Sequence, residues 1–288
     1  MIDFFKIVLH QKYYDLLLNN PLLEFNYLEV SVNTSEIKKN YLVARHNGLT
    51  FELYESKIII IKGSFHYLFN NGLHNYNDFK LKDFKEVVMT FIDNYNINPT
   101  ECTLNQLEVG LNLKHQYNTN KILRHAFFHK GSEFSRVKTK TEGNYYLAEH
   151  YNYYWFKLYN KRVQFNNEFD LTNEIIRLEL KFYSRKLVND FNIKTLNDLL
   201  NFDFNLFKKE LLNQWEKVLF FDYTINHPSL SLNNYRDKNY WIDLKENTSR
   251  SNYNNHRNKL DNLTKNYSNN IKKEFSNLIE QKAIQLIG

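Results

Sequence analysis

The sequence predicts an α+β protein in which an antiparallel sheet is followed by a helical C-terminal region. Up to about residue 185, short segments alternate apolar and polar residues, which is typical of half-buried strands. From Thr195 onward, apolar residues instead recur every three or four positions, which is typical of amphipathic helices. We therefore expect two parts, a mixed part over residues 1–190 and a helical part over residues 191–288.

The composition is that of a folded chain without disulfide bonds. The 288 residues are 42% hydrophobic, which excludes an intrinsically disordered protein, and their formal charge of +6 is compatible with nucleic acid as a partner without being diagnostic. A single cysteine, Cys102, excludes a disulfide framework and a Cys-based zinc site. The longest apolar stretch is too short to cross a bilayer, and we see no secretion signal. We expect a cytoplasmic protein with no membrane partner.

The first hundred residues are predicted to form three strands and a helix. Residues 26–32, 49–54 and 57–62 are short runs rich in β-branched and aromatic residues, and we expect them to pair as an antiparallel meander. Asn77 and Asp78 offer an N-cap to the helix that follows. The buried face of this helix is predicted to carry Phe84, Val87, Val88, Phe91, Ile92 and Tyr95.

Three later segments, residues 106–114, 153–161 and 175–183, alternate apolar and polar residues most regularly. If these strands share a sheet, their polar side chains form one surface, because alternate residues of a strand point to the same face. We call this surface the polar sheet face; it carries Glu108, Asn112, Lys157, Tyr159, Lys161, Arg177, Glu179 and Lys181. A solvated sheet face would also hold charges, but two carboxylates and a tyrosine between apolar flanks favour a functional site.

The polar sheet face combines metal ligands with a nucleophile. Carboxylate and amide oxygens on neighbouring strands are the ligands that Mg²⁺ or Mn²⁺ prefers. Such a metal beside a phosphodiester would stabilise the leaving 3′-oxygen while a hydroxyl attacks in line. Tyr159 is a candidate for that hydroxyl, and Lys157 and Lys161 lie two residues away, where a cation would favour the phenolate.

Five short blocks follow in a characteristic order: residues 62–66, 75–79, 107–112, 154–161 and 176–181. Over roughly residues 60–200, this order resembles the rolling-circle replication initiators of filamentous phages and related plasmids. In that family, a strand carrying an acid is followed by a strand ending in Tyr-x-Lys and then by a strand reading Arg-hydrophobic-Glu. No His-hydrophobic-His pair is present, as is expected of this branch of the tyrosine nickases.

The resemblance implies a ferredoxin-like antiparallel sheet with helices on one face. It implies an endonuclease that nicks one strand of an origin, keeps the 5′-phosphate on a tyrosine and rejoins the ends with the help of Mg²⁺ or Mn²⁺. Residues 1–190 would form the nickase domain, and residues 191–288 would bind DNA or serve in assembly. The implied partners are single-stranded or locally melted origin DNA and, in the host, helicase and polymerase.

Matched position by position, the resemblance makes Tyr159 the nucleophile and Lys161 its electrostatic partner. Arg177 would lie near the scissile phosphate or in an ion pair with a neighbouring carboxylate. The implied metal ligands are Glu108, Glu179 and Asn112. Asn112 stands where relatives tend to have a second acid, and an amide oxygen binds Mg²⁺ less tightly than a carboxylate does.

Several histidines and tyrosines are further candidates. His66 and His74 lie near the first matched blocks and are candidates for a contribution to the site. His125 and His129 stand four residues apart on a predicted helix over residues 119–129, a spacing compatible with a metal, but neither a metalloprotease Glu nor a third ligand accompanies them. A shift of strand register by one residue would exchange the nucleophile for another tyrosine. The tyrosines that crowd this segment are Tyr151, Tyr153 and Tyr154.

Other functions compatible with the same residues remain open. A non-catalytic binder of single-stranded nucleic acid would stack bases on Trp155, Tyr153 and Tyr159, but would gain nothing from Glu108 and Glu179. A transposase or mobilisation relaxase would use the same tyrosine chemistry. A basic C-terminal segment is either a solvated helix face or a surface that grips DNA. Its residues are Arg250, Tyr253, His256, Arg257, Lys259, Lys265, Tyr267, Lys272 and Lys273.

Overall fold

The computed structural model describes residues 1–26, 41–138, 145–169, 172–228 and 231–288. Within these ranges, a large antiparallel sheet combines with helices, and a helical region ends the chain. The predicted α+β class is confirmed. No helix in the described ranges is long and apolar enough to cross a membrane.

The strands of the described chain form two antiparallel sheets. Their bounds are β1 Ile2–Leu9, β2 Tyr41–His46, β3 Leu49–Tyr54, β4 Ile59–Ser64, β5 Thr103–His115, β6 Ala126–His129, β7 Ser132–Glu133, β8 Ser135–Lys138, β9 Tyr145–Tyr151, β10 Tyr154–Asn160, β11 Glu174–Tyr183 and β12 Val218–Phe220. The large sheet has nine strands in the order β2-β3-β4-β1-β5-β11-β10-β9-β8, and the small sheet has the order β12-β6-β7. The three strands that carry the polar sheet face are therefore neighbours.

The helices lie mostly in the second half of the chain. Their bounds are α1 Tyr14–Leu18, α2 Phe65–Phe69, α3 Leu81–Tyr95, α4 Thr119–His125, α5 Lys161–Phe169, α6 Ser184–Phe191, α7 Leu196–Leu200, α8 Asn205–Glu216, α9 Ser231–Tyr235, α10 Lys238–Asn247, α11 Arg250–Tyr267 and α12 Ile271–Ile287. Two short 3₁₀ helices cover Gln11–Tyr13 and Pro99–Glu101.

The main hydrophobic core joins the sheet to helices from both halves of the chain. The apolar side chains of β5, β10 and β11 are buried, as their alternation predicts. Phe207 of α8 stacks on Phe182 of β11 at a ring-centre distance of 5.8 Å, and Trp215 of α8 packs on Phe275 of α12 at 5.6 Å. The polar sheet face is therefore the opposite face of these three strands.

A second, smaller core lies around the small sheet. Phe127 and Phe128 of β6 and Phe221, which follows β12, pack with the buried Trp241 of α10 and Leu260 of α11. Both cores include residues from before and after position 190. The expected division of the chain at residue 190, into a nickase domain and a region for DNA binding or assembly, stays a prediction.

Several predicted elements differ from the structure. The helix predicted after Asn77 and Asp78 begins at Leu81, where the Asp83 carboxylate accepts a hydrogen bond from the Lys80 N–H at 3.0 Å. Asp78 instead forms an ion pair with Lys282 at 2.6 Å. The strand predicted over residues 26–32 lies outside the described residues except for Asn26, which bridges to β2.

The predicted helix over residues 119–129 is wrong in its second half. The chain is helical only to His125 and continues as strand β6, because Ala126, Phe127 and Phe128 form a short apolar run that pairs with β12. A run of that length suits a buried strand as well as a helix. In the part predicted to be helical from Thr195 onward, helix α8 likewise ends at Glu216 and strand β12 follows it.

Candidate active site

The register of β5, β11 and β10 places the predicted polar residues side by side. In the ladder between β10 and β11, Lys157 lies opposite Glu179, and Tyr159 lies opposite Arg177. In the ladder between β11 and β5, Arg177 lies opposite Asn112. Arg177 and Glu179 are each only 2% exposed, so this face is not an ordinary solvated one. Residues predicted from three separate segments therefore form one cluster.

Arg177 is the centre of this cluster. Its guanidinium donates to Asp3 at 2.6 Å, to Asn112 at 2.9 Å and to Glu179 at 2.9 Å. Arg177 was expected either near the scissile phosphate or in an ion pair with a neighbouring carboxylate, and this geometry has the ion pair. Since all three nitrogens of the guanidinium are engaged, Arg177 holds other side chains in place.

Sequence reasoning missed three polar residues of the cluster: Asp3, Ser64 and Asn75. Asp3 accepts hydrogen bonds from the Ser64 hydroxyl and from the Asn75 amide, in addition to the ion pair with Arg177. Burial acts to raise the pKa of Asp3, but the charges of Arg177 and Lys161 and the hydrogen bond from Ser64 together hold this pKa below its ordinary value. Ser64 and Asn75 lie in the first two matched blocks, which was the one available signal for them.

Asp3 escaped prediction because no strand was predicted over Ile2–Leu9, and the irregularity of strand β1 would have hidden it in any case. Simple alternation would place Asp3 on the same face as Phe5, which is fully buried in the core. The register between β1 and β5 shifts between Ile2 and Phe5, however, and Asp3 reaches Arg177 on the polar side. Such shifts add a residue to one strand and re-aim its side chains, and the sequence alone does not reveal them.

Tyr159 points into the cluster from β10. Its hydroxyl donates a hydrogen bond to Glu179 Oε2 at 3.1 Å. Burial raises the pKa of Tyr159 well above its ordinary value, and the negative charge of Glu179 raises it further, while Arg177 opposes them. The phenol is therefore protonated in the resting site. Tyr154 lies on the opposite face of the same strand, where its hydroxyl donates to Gln214 at 3.2 Å.

Lys161 is buried beside Tyr159 at the first residue of α5. Its ammonium donates to Asn75 Oδ1 at 2.7 Å and to Gln164 Oε1 at 3.1 Å, and Nζ lies 5.6 Å from the centre of the Tyr159 ring. Burial lowers the pKa of Lys161 to about 7, the charge of Arg177 lowers it too, and Asp3 opposes them.

Glu108 and Glu179 flank the ammonium of Lys157. Lys157 Nζ lies 3.3 Å from Glu108 Oε2 and also forms an ion pair with Glu179 Oε1, while Lys181 Nζ lies 3.5 Å from Glu108 Oε1. Burial raises the pKa of Glu108 to about 8, with a further contribution from the charge of Glu179. Burial also acts on Glu179, but the charges of Lys157 and Arg177 outweigh it and hold its pKa well below the ordinary value.

The predicted metal ligands do not fit a divalent cation in this arrangement. Lys157 lies between the two carboxylates of Glu108 and Glu179, and the amide oxygen of Asn112 accepts from Arg177. Mg²⁺ and Mn²⁺ need oxygen atoms that face an open position, and here those oxygens face cations. Across the described ranges, no group of three or more His, Cys, Asp and Glu side chains is arranged to hold a metal.

Of the candidate histidines, His66 lies beside the cluster, where it lines a small cavity together with Asn112 and Arg177 and feels the charge of Asp3. His66 Nε2 donates to the amide oxygen of Asn77 at 2.6 Å and its ring stacks on Phe79 at 4.9 Å, while His74 stacks on Tyr76 at 4.2 Å.

His125 and His129 do not share a helix, so the predicted spacing of four residues on one helical face is wrong. His125 bonds the Lys121 carbonyl at 2.7 Å, while His129 on β6 bonds the Tyr151 hydroxyl at 2.7 Å. Because both rings have separate partners, this geometry gives no support to a shared metal.

The basic C-terminal segment lies on α11 and the start of α12. Lys259, Lys265 and Lys273 are exposed, and Tyr267 is 47% exposed. His256, by contrast, is half-buried against the small core, where it forms hydrogen bonds of 3.0 Å with two tyrosine hydroxyls. A DNA-binding role for this segment stays a prediction.

Comparison with solved structures finds a similar chain. A solved structure of a rolling-circle replication initiator protein from Geobacillus stearothermophilus is similar to this chain at a TM-score of 0.46 and 12% sequence identity. The likeness covers 90% of this chain and 95% of that chain. No family model matches the sequence. No curated protein matches it either.

Proposed function

We propose that this protein initiates rolling-circle DNA replication by nicking one DNA strand at an origin and later rejoining the ends. Tyr159 is the proposed nucleophile. The observation that carries the proposal is the position of its hydroxyl, which donates to Glu179 within a buried ion-pair cluster centred on Arg177. The order of the sequence blocks supports the same function, because Glu108, Tyr159, Lys161, Arg177 and Glu179 each match the family pattern.

The proposed reaction is a transfer of the phosphodiester from one oxygen to another. The phenol oxygen of Tyr159 attacks the phosphorus, the new bond between them forms, and the bond from phosphorus to the 3′-oxygen breaks. The phenol proton passes to water, and the released 3′-oxygen takes up a proton from water, so no net proton is gained or lost. Rejoining is the reverse, in which a 3′-hydroxyl attacks the phosphotyrosine and the phenol leaves. Because the bond energy is kept, rejoining needs no nucleotide cofactor.

Glu179 and Arg177 are the positioning groups in this proposal. Glu179 is a weak base because Lys157 and Arg177 hold its pKa low, so its hydrogen bond serves to orient the Tyr159 hydroxyl. The phenol proton is lost as the bond to phosphorus forms and the phenol becomes acidic. Arg177 fixes Glu179 and, through Asp3, ties the site to strand β1.

Lysine side chains supply the positive charge that a phosphate group needs. Lys157 and Lys181 are 15% and 17% exposed, so they can meet a phosphate at the mouth of the site, and Lys161 lies deeper beside the Tyr159 ring. Fixed cations in a site of low dielectric constant stabilise the charge that develops on the phosphoryl oxygens.

Single-stranded or locally melted DNA is the proposed substrate. Next to the cluster, Trp155 stacks on the exposed His150 at a ring-centre distance of 3.8 Å, and Lys181 Nζ lies 5.0 Å from the Trp155 ring centre. Aromatic rings beside cations are typical of surfaces that hold unpaired bases and their phosphates. The same observation favours a second candidate function, a non-catalytic binder of single-stranded nucleic acid.

A transposase or relaxase would use the same tyrosine chemistry, so the class of mobile DNA element stays open within this proposal. Phage and plasmid origins are both compatible with it. We also propose that the protein binds a host helicase and polymerase through its helical C-terminal region. This proposal rests on the resemblance alone.

A cleavage assay tests the proposal. Single-stranded oligonucleotides tiled across the DNA that flanks the coding sequence would carry 5′ or 3′ labels and would be separated on denaturing gels. We expect a cleaved product with a free 3′-hydroxyl and a label that stays on the protein, and we expect Tyr159→Phe to abolish both. Tyr41→Phe, a change on the distant strand β2, is the matched control and should cleave normally. Binding of the oligonucleotides without any cleavage would favour the non-catalytic binder.

A further inference from the structure

A lysine ammonium fills the space between the two carboxylates of the cluster. Lys157 Nζ contacts Glu179 Oε1 and lies 3.3 Å from Glu108 Oε2. Lys157 lies opposite Glu179 in the ladder between β10 and β11, so the sheet register itself holds the ammonium in place. The side chain of Glu179 is 2% exposed and that of Glu108 is 12% exposed, so both carboxylates depend mainly on protein cations for their partners.

The other oxygen atoms around this position also face cations. Glu108 Oε1 faces Lys181 at 3.5 Å, Glu179 Oε2 accepts from Arg177 at 2.9 Å, and the oxygen of Asn112 accepts from Arg177 at 2.9 Å. A divalent cation would have to displace Lys157 and would meet two further positive charges. Mg²⁺ binds where several oxygens surround it at roughly 2 Å, with negative charge to spare.

We propose that Lys157 takes the place of a divalent cation at this site, so that cleavage proceeds without a metal ion. This inference rests on the proposed function. The Lys157 ammonium would donate a hydrogen bond to a non-bridging oxygen of the scissile phosphate and would stabilise the charge that builds up there, as a bound metal does in other phosphoryl-transfer sites. The two carboxylates hold the ammonium in position for this contact.

Manganese binding tests the inference without any DNA. Free Mn²⁺ is measured by electron paramagnetic resonance during titration of the full chain, of Lys157→Met and of the control Lys12→Met. Lys12 also pairs with a glutamate, at 2.7 Å, but on the surface away from the cluster. We expect no stoichiometric binding to the wild type or to Lys12→Met. We expect Lys157→Met to bind one Mn²⁺ at least about tenfold more tightly, because its two carboxylates lose their shared cation.

A cleavage arm uses the oligonucleotide that the tiling assay identifies. The wild type should cleave it equally well in EDTA and in Mn²⁺. In EDTA, the cleavage rate of Lys157→Met should be lower by about a hundredfold or more, which is the usual effect of removing one fixed donor to a developing oxyanion. In Mn²⁺, this variant should regain part of the lost rate. Circular dichroism spectra of the variants establish that they are folded.

The outcomes separate this inference from the function on which it rests. Two results would overturn the inference. One is that the wild type binds Mn²⁺ stoichiometrically and that Glu108→Gln abolishes this binding. The other is that EDTA stops cleavage by the wild type. In both cases the tyrosine nickase proposal would stand. The wild-type titration decides the matter even if Lys157→Met fails to fold. Absence of cleavage with and without metal would count against the proposed function itself.

Discussion

At the scale of single residues, the cluster depends on buried charges that satisfy one another. Arg177 lies within hydrogen-bonding distance of Asp3, Asn112 and Glu179, and almost none of these atoms reach solvent. Removing one member of a buried ion pair leaves its partner charged and unpaired, which costs more than the pair contributed. The cluster is therefore sensitive to changes that conserve size but not charge.

Asp3→Ala should lower the free energy of unfolding by about 3–5 kcal/mol, because Arg177 would lose a buried partner at 2.6 Å. Urea titration followed by circular dichroism measures the loss. The exposed pair of Lys82 and Glu86 provides the control, and Glu86→Gln should leave the urea midpoint unchanged. Because the pKa of Asp3 is lowered by folding, its contribution is full above pH 3.8 and is lost as the pH falls below that value. Equal midpoints for Asp3→Ala and Glu86→Gln would contradict the role given to Asp3.

Lys161 should give the cleavage reaction a pH dependence near neutrality. Its pKa is lowered to about 7, so the ammonium loses its proton as the pH rises through that value. If the charged form is the electrostatic partner of Tyr159, kcat/KM should fall above about pH 7, since this ratio reports the pKa values of the free enzyme. The fall should disappear in Lys161→Arg, whose guanidinium stays charged. A rate that rises through pH 7 would instead make Lys161 a proton acceptor.

The sequence predicted those residues of the cluster that lie on regular strands, because alternation decides to which face their side chains point. Tyr159, Arg177 and Glu179 lie on one face because each strand is regular between apolar neighbours. Asp3 could not be predicted in this way, because the shift of register in β1 breaks the alternation. The position of Lys157 between two carboxylates was also beyond the sequence, since it depends on distances across three strands.

At the scale of elements, strand β5 has a glycine where the guanidinium of Arg177 crosses it. A Cβ atom on Gly110 would lie 3.1 Å from an Arg177 nitrogen and 3.0 Å from the Leu178 carbonyl oxygen. Both contacts are tighter than ordinary packing allows, and the Leu178 atom belongs to the backbone. The absence of a side chain at Gly110 is thus what lets Arg177 reach Asn112 and Asp3.

Gly110→Ala should lower the free energy of unfolding by about 1–3 kcal/mol, in the range of other overpacked sites, and should reduce DNA cleavage because Arg177 is displaced. Urea titration and the gel assay measure the two effects. Gly131→Ala, whose added Cβ would meet no atom within 4 Å, should lose some stability because Gly131 has a φ of +81°, but should cleave normally. If Gly110→Ala cleaves at the full rate, the site does not require the Arg177 guanidinium to cross strand β5 at Gly110.

Element types were predicted best where the periodic pattern was long. Strand β3 was predicted at its observed bounds, and β5, β10 and β11 within a few residues. The apolar end of the predicted helix over residues 119–129 is strand β6, and the apolar run that follows α8 is strand β12. These two runs pair with each other, and that long-range pairing decides their conformation where local periodicity does not.

At the scale of the whole molecule, the helical C-terminal region completes the core of the sheet. Phe204 of the turn before α8 packs on Phe84 of α3 at 5.9 Å, and Phe275 of α12 packs on His115 of β5 at 5.0 Å. The indole of Trp215 is fully buried and donates to the Lys272 carbonyl at 3.0 Å. Removing this region would expose the apolar face of the sheet.

A fragment of residues 1–190 should therefore fail to unfold cooperatively, while the full chain should unfold in one transition seen alike by circular dichroism and tryptophan fluorescence. The fragment should also bind an apolar dye that the full chain does not bind. A sharp transition of the isolated fragment would show instead that the sheet and its first helices are stable alone. The order of matched blocks predicted which polar residues would share one face of the sheet, but not that later helices would share the core of that sheet.

Identification of the residue that carries the DNA tests the central claim most directly. The protein is allowed to cleave the oligonucleotide, the adduct is digested with protease and nuclease, and the modified peptide is sequenced by mass spectrometry. We expect the nucleotide mass on Tyr159, and no adduct in Tyr159→Phe. An adduct on Tyr154, whose hydroxyl lies across the sheet at Gln214, would contradict the assignment of the nucleophile, and the absence of any adduct during cleavage would contradict the tyrosine mechanism.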